Sequence, residues 1–149
     1  MIRKVFIMAL TLAILLSAFV LVRGQQRLLS EGIIYPGKGV DEIQIGESPP
    51  QKRPCGGKGD VEVECVEGRV SAITVRSRYF YLVRTRVRVG SEITDVLRFY
   101  GEGEQEVDNI TDKFSLKYRG QGVDFEISKS SRQITGIRVY HRTLPKSLR

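Results

Sequence analysis

The sequence predicts an α+β fold: antiparallel sheet, in one or two pieces, built from an imperfect tandem repeat with one short helix and preceded by a hydrophobic N-terminal helix. Three observations carry this. Apolar and polar residues alternate with period two at 60–76 and again at 113–141, as half-buried strands do. Residues 93–100 instead place Ile93, Val96, Leu97 and Tyr100 at i, i+3, i+4 and i+7, the spacing of one helical stripe. Two stretches, 36–83 and 84–141, also resemble each other.

Residues 1–24 read as a leader. Arg3 and Lys4 form a basic start, and Val5 to Val22 is an uncharged apolar run. That run is longer than the usual core of a cleaved signal and close to the lower limit for a membrane span. Two readings stay open: a signal peptide cleaved after Gly24, or a membrane anchor through residues 5–22 with Arg23 at its flank. In both the basic start stays cytoplasmic and the rest is exported. The chain is then periplasmic or secreted, or held in the inner membrane by a single helix. No cysteine lies near the leader's end, so a lipoprotein signal is not expected.

The whole chain carries +7. The leader holds three of those charges and no acid, which leaves 21 basic against 17 acidic residues, a net +4. A modest excess of this kind favours anionic lipid or glycan surfaces. Nucleic acid is not expected in the exported compartment.

Residues 25–35 read as a linker. Val40 to Ile45 is expected as one short strand, and Pro49, Pro50 and Pro54 exclude a regular helix after it. Asp60 to Val66 and Arg69 to Arg76 form a hairpin about the Glu67-Gly68 turn. Tyr79 to Val89 is rich in β-formers and reads as one strand ending at Gly90. Ser91 is the expected N-cap of the helix and Gly101 its stop. Gly101 to Asp112 is an acidic loop. Lys113 to Tyr118, Val123 to Ile127 and Gln133 to His141 are strands of a meander, and 142–149 is a basic tail.

The two halves share an order of elements. A strand ends in Gly and a polar residue at Ile45-Gly46-Glu47 and at Val89-Gly90-Ser91. A hairpin then closes on a V/I-x-x-I-x-V strand, Val70 to Val75 and Ile134 to Val139. Copy one (36–83) lacks the helix of copy two (84–141).

Val89-Gly90-Ser91, Val96-Leu97, Tyr100-Gly101 and the closing strand Ile134 to Val139 resemble the small bacterial envelope modules of the outer-membrane-assembly lipoprotein (BamE/SmpA) type. These are similar to the tandem repeats of β-lactamase-inhibitor-like proteins. The resemblance covers about residues 85–141. It implies an α+β fold with the helix on one side of an antiparallel sheet, and an exported binding or scaffolding role rather than catalysis.

Few residues suggest chemistry. Cys55 and Cys65 are the only thiols, and an exported chain would pair them in a disulfide closing the Gly-rich loop at 55–59; the alternative is a buried Cys65 and a free Cys55. Arg84, Arg86 and Arg88 on a strand would project from one face about 6.6 Å apart, a ladder for phosphate or carboxylate groups. The competing reading pairs these arginines with Glu62, Glu64 or Glu126 across a solvated face. Gly56-Gly57-Lys58-Gly59 lacks the spacing of a phosphate loop, and the acids from Glu102 to Asp112 lack the order of a calcium loop. His141 stands alone at the end of a strand. No catalytic residue, metal site or cofactor is expected.

The function this supports is a non-enzymatic envelope protein that binds another envelope protein or an anionic lipid or glycan surface. The alternatives are a purely structural membrane-tethered domain, or an enzyme using acid pairs or Cys55.

Overall fold

The computed structural model describes residues 31–142. The leader at 1–24, residues 25–30 of the linker and 143–149 of the basic tail lie outside the described residues. Among those described, no helix is long and apolar enough to cross a membrane. The fold is mostly β-sheet, in two sheets, with one short helix.

In chain order the strands are β1 (Gly32–Tyr35), β2 (Gly39–Val40), β3 (Ile43–Gln44), β4 (Val61–Val66), β5 (Arg69–Val75) and β6 (Phe80–Leu82). Helix α1 (Ile93–Tyr100) follows, then β7 (Glu104–Val107), β8 (Lys113–Tyr118), β9 (Val123–Ser128) and β10 (Ile134–Tyr140). The smaller sheet has the order β3-β2-β1-β6, and the larger β4-β5-β10-β9-β8-β7.

The β4–β5 hairpin and the β8–β9–β10 meander follow their alternation. Phe114, Leu116 and Tyr118 point into the core from β8, while Lys113, Ser115 and Lys117 point away from it. Strand β10 pairs antiparallel with both β5 and β9, so the two hairpins meet at the middle of the sheet. Ile34, Val40 and Leu82 of the smaller sheet join Ile73, Phe125, Ile127 and Ile137 of the larger one in a single apolar cluster, with Ile93 and Val96 of α1.

Several local expectations are corrected. Residues 32–35 of the expected linker are strand β1, which pairs antiparallel with β2 and parallel with β6. The expected strand at 40–45 is a tight hairpin, because Val40 and Ile43 are both fully buried and a straight strand would send residues three apart to opposite faces. The same parity breaks the expected strand at 79–89. Leu82 and Val87 are both buried, yet they are five apart. The chain therefore folds back, with the Leu82 amide donating to the Val87 carbonyl (2.8 Å) and the Arg86 amide to the Leu82 carbonyl (3.0 Å).

The acidic segment 101–112 is not all loop, since β7 pairs along its length with β8. Here diagonal charge offsets poor strand propensity: Lys117 pairs with Glu106, and Arg119 with Glu104 at 3.0 Å. Ser91 does not cap the helix. Its hydroxyl accepts from the Arg88 amide (3.1 Å), and Glu92 occupies the cap position without a side-chain bond to the first turn.

The two halves also share a hydrogen-bond pattern. The Gly46 amide donates to the Val70 carbonyl (2.7 Å) and the Val70 amide to the Glu47 carbonyl (2.8 Å). In the second half Gly90 donates to Ile134 (2.8 Å) and Ile134 to Ser91 (2.9 Å).

Cys55 and Cys65 are joined by a disulfide, with Cα atoms 5.6 Å apart. The bridge lays the Cys55–Gly56 segment along the outer edge of β4, where the Gly56 amide donates to the Val63 carbonyl (2.8 Å).

Candidate functional site

Charge is distributed unevenly over the two sheets. The outer face of the larger sheet is a lattice of paired ions. Arg76 bonds Glu126 at 2.7 Å and Glu62 at 3.4 Å, Lys113 lies 3.6 Å from Glu126, and Arg138 bonds Glu64 at 2.7 Å. Burial pushes the Glu126 carboxyl up, but the Arg76 hydrogen bond and charge, aided by Lys113, outweigh it and hold it below the usual range. A hollow of about 290 Å³ on this face is lined by Lys117, Arg119, Arg138, Asp124 and Tyr140. Each of its cations already has a carboxylate partner. Burial raises the Asp124 carboxyl even though Tyr140 donates a hydrogen bond to it at 2.6 Å. This face is self-neutralised.

A second cleft, of about 480 Å³, differs. Four segments build it. Tyr35, Pro36 and Lys38 come from the β1–β2 turn, which the Lys38 amide closes onto the Tyr35 carbonyl (3.0 Å). Val83, Arg84 and Thr85 come from the turn that replaces the expected strand. Phe99 and Tyr100 come from the end of α1. Gln121 of the β8–β9 turn and Arg142 beyond β10 complete the wall. Lys38, Arg84 and Arg142 thus converge from positions far apart in the chain, and among the described residues no acidic side chain lines the cleft. Among the described residues neither Lys38 nor Arg84 has an ion-pair partner.

Backbone contacts fix these groups. The Gly37 amide donates to the Gly122 carbonyl (3.2 Å), and so does the Tyr140 amide (3.1 Å). Gly37 and Gly122 both have φ of +69°, and a Cβ on Gly122 would stand 2.7 Å from the Gly37 Cα. A side chain there would push the Lys38 turn outward. The Arg142 side chain lies over Gly37, with Nη2 donating to the Pro36 carbonyl at 3.4 Å. The Val83 amide donates to the Ile34 carbonyl (3.0 Å), tying the Arg84 turn to β1.

The aromatic wall is equally fixed. Tyr100, Tyr118 and Phe125 form a cluster with ring centroids 5.2–5.8 Å apart, in tilted and edge-to-face contacts. The Tyr118 hydroxyl donates to the Gly101 carbonyl (2.8 Å), which anchors the C-terminal end of α1. Burial, with Tyr118 nearby, pushes the Tyr100 hydroxyl up to about 12. Phe99, next to this anchored residue, lines the cleft and is 52% exposed.

The arginine ladder is corrected by these positions. Arg84 and Arg86 have φ of +74° and +58°, values of a turn and not of a strand, so the three side chains do not share one strand face. Only Arg84 lines the cleft. The Arg86 guanidinium lies 5.4 Å from the Tyr81 ring centroid, and Arg88 is 3.5 Å from Glu31. The carboxylates expected opposite them, Glu62, Glu64 and Glu126, pair with Arg76 and Arg138 instead.

The remaining candidates do not converge. His141 is exposed, with Nδ1 3.1 Å from the Arg142 carbonyl oxygen. Asp108 is held below the usual range by Thr111 and the Ile110 amide, and Asp112 by Ser130 and Ser128. Among the described residues no group of acids, His or Cys could hold a metal ion.

The chain is similar at a distance to the crystal structure of the uncharacterized protein YfeY from Escherichia coli. The two chains share 15% identity over 60% of this chain and 70% of that one, with a TM-score of 0.43. No protein-family model and no curated protein sequence matches the chain.

Proposed function

We propose that the chain is a non-enzymatic envelope module, exported or membrane-anchored, whose cleft binds an anionic group on an envelope protein, lipid or glycan. One observation carries the reading: Lys38, Arg84 and Arg142 converge on a cleft lined, among the described residues, by no acid, whereas Lys117, Arg119 and Arg138 around the hollow of the larger sheet are each paired with a carboxylate. Cations held without counter-charge attract anions from solution. Among the described residues the lining brings no carboxylate, thiol or imidazole beside them. The membrane part of the reading rests on the sequence of residues 5–22. Descent from an imperfect tandem duplication, 36–83 and 84–141, is supported by the paired Gly46–Val70–Glu47 and Gly90–Ile134–Ser91 hydrogen bonds. Likeness of 85–141 to BamE/SmpA modules supports the envelope assignment.

The test is titration of the full chain, in neutral maltoside micelles, with inorganic phosphate followed by NMR. Arg84→Glu should weaken binding by at least about tenfold, the scale of one charge-assisted hydrogen bond. Arg86→Glu should change it little, because that side chain packs on Tyr81 outside the cleft. Equal losses in the two variants would leave only diffuse surface charge. The intact mass of the mature protein from membrane fractions decides between cleaved and retained leader.

A further inference from the structure

Resting on that reading of the anion site, we propose that the cleft takes a phosphate monoester carried on an apolar group. Three features select this chemistry.

The first is charge. Among the described residues Lys38, Arg84 and Arg142 face no lining acid, so a single carboxylate would leave positive charge uncompensated. A phosphate monoester brings about −1.5 to −2 charges at neutral pH and three acceptor oxygens. The second is shape: two of the three cations are arginines, whose planar fork matches phosphate oxygens, and Gln121 adds a neutral amide.

The third is the wall. Phe99 and Tyr35 are large rings left 52% and 37% exposed on the same cleft as the cations. The α1 end is held by the Tyr118 hydroxyl and the Tyr100 cluster, so Phe99 is presented from a fixed support. A bare phosphate would leave these rings wet, whereas an apolar substituent would cover them. The cleft volume of about 480 Å³ falls in the usual range of small-ligand sites and exceeds what one phosphate fills. The same chemistry is offered by a lipid phosphate and by a water-soluble aryl or alkyl phosphate.

The experiment uses the full chain in neutral maltoside micelles. Inorganic phosphate, benzoate, phenyl phosphate and dioctanoyl phosphatidic acid are titrated by calorimetry. Phenyl phosphate should bind about tenfold more tightly than inorganic phosphate, the gain from burying roughly 55 Å² of apolar surface, and more tightly than benzoate, whose carboxylate carries less charge. Phe99→Ser should abolish that preference, read as the ratio of phenyl phosphate to inorganic phosphate affinity within the variant. Its site is half exposed, so folding is retained, as checked by circular dichroism. Tighter binding of the phosphatidic acid than of phenyl phosphate assigns a lipid source, and the reverse order a soluble one. Equal binding of phenyl and inorganic phosphate, or a preference that survives in Phe99→Ser, overturns the inference and leaves the anion site standing. Failure of every anion to bind overturns both.

Discussion

Reduction of the Cys55–Cys65 bond tests what holds the β4 edge of the larger sheet. The two cysteines are ten residues apart in sequence. Closing so short a loop removes about 9 cal/mol/K of entropy from the unfolded chain, or about 2.7 kcal/mol at 25 °C. The Gly56–Val63 hydrogen bond sits inside the closed ring and adds about 1 kcal/mol while the loop is held. Reduction should therefore cost about 2.5–4 kcal/mol. For a folded region of this size each kcal/mol moves Tm by about 4 °C, so a fall of roughly 10–15 °C is expected. Reduction is a cleaner perturbation than Cys65→Ala, because the half-buried Cys65 side chain stays packed on the core. The assay is thermal unfolding of the full chain by circular dichroism with and without a phosphine reductant, and thiol labelling confirms that the bond is open. Two labels per chain with a Tm fall under about 4 °C would refute the reasoning, since the loop would then be ordered without its cross-link.

Gly122→Ala should cost about 2 kcal/mol or more, because Ala is strained at φ +69° and its Cβ would press on Gly37; phosphate affinity should fall with it as the Lys38 turn shifts. Chemical denaturation and phosphate titration check the two effects. Phe125→Ala, at a fully buried ring in the middle of the aromatic cluster, should cost about 3–5 kcal/mol by the same denaturation. Asp124→Asn tests a linkage. Burial raises the folded pKa of Asp124, so its stabilising share is present below the unfolded pKa and is lost as pH rises through the folded one. The parent should lose stability relative to Asp124→Asn as pH rises above the ordinary aspartate range of about 4, and urea midpoints that run parallel in the two proteins would contradict it. The lowered carboxyls of Glu126, Asp108 and Asp112 act in the opposite sense but equally in both proteins, and drop out of the comparison.

The strands at 61–75 and 113–140 were legible because their alternation is local: each apolar residue has its partner within one hairpin. The helical stripe at 93–100 was legible for the same reason. Parity hid the turn at 83–86. The run Val83, Thr85, Val87, Val89 reads as one strand until Leu82 and Val87 are required to share a core. Strand β1 was hidden by distance, since its parallel partner β6 lies almost fifty residues away and Gly32 leaves no side chain to mark the pairing. Of the cleft cations, Arg84 stood out by its neighbours Arg86 and Arg88, which the turn then separated from it. Lys38 and Arg142 carried no local signal. They meet because the Gly37 and Tyr140 amides share the Gly122 carbonyl and Arg142 donates to the Pro36 carbonyl.

The two margins of the larger sheet are not equivalent. Along β4 the disulfide-held segment already occupies hydrogen-bonding room at Val63. Along β7, among the described residues, the only neighbour is β8, so a row of amides and carbonyls faces outward. The β4 margin is thus partly capped where the β7 margin is open. The acids along that open seam, Glu104 and Glu106, are already matched by Arg119 and Lys117, so little net charge stands along it.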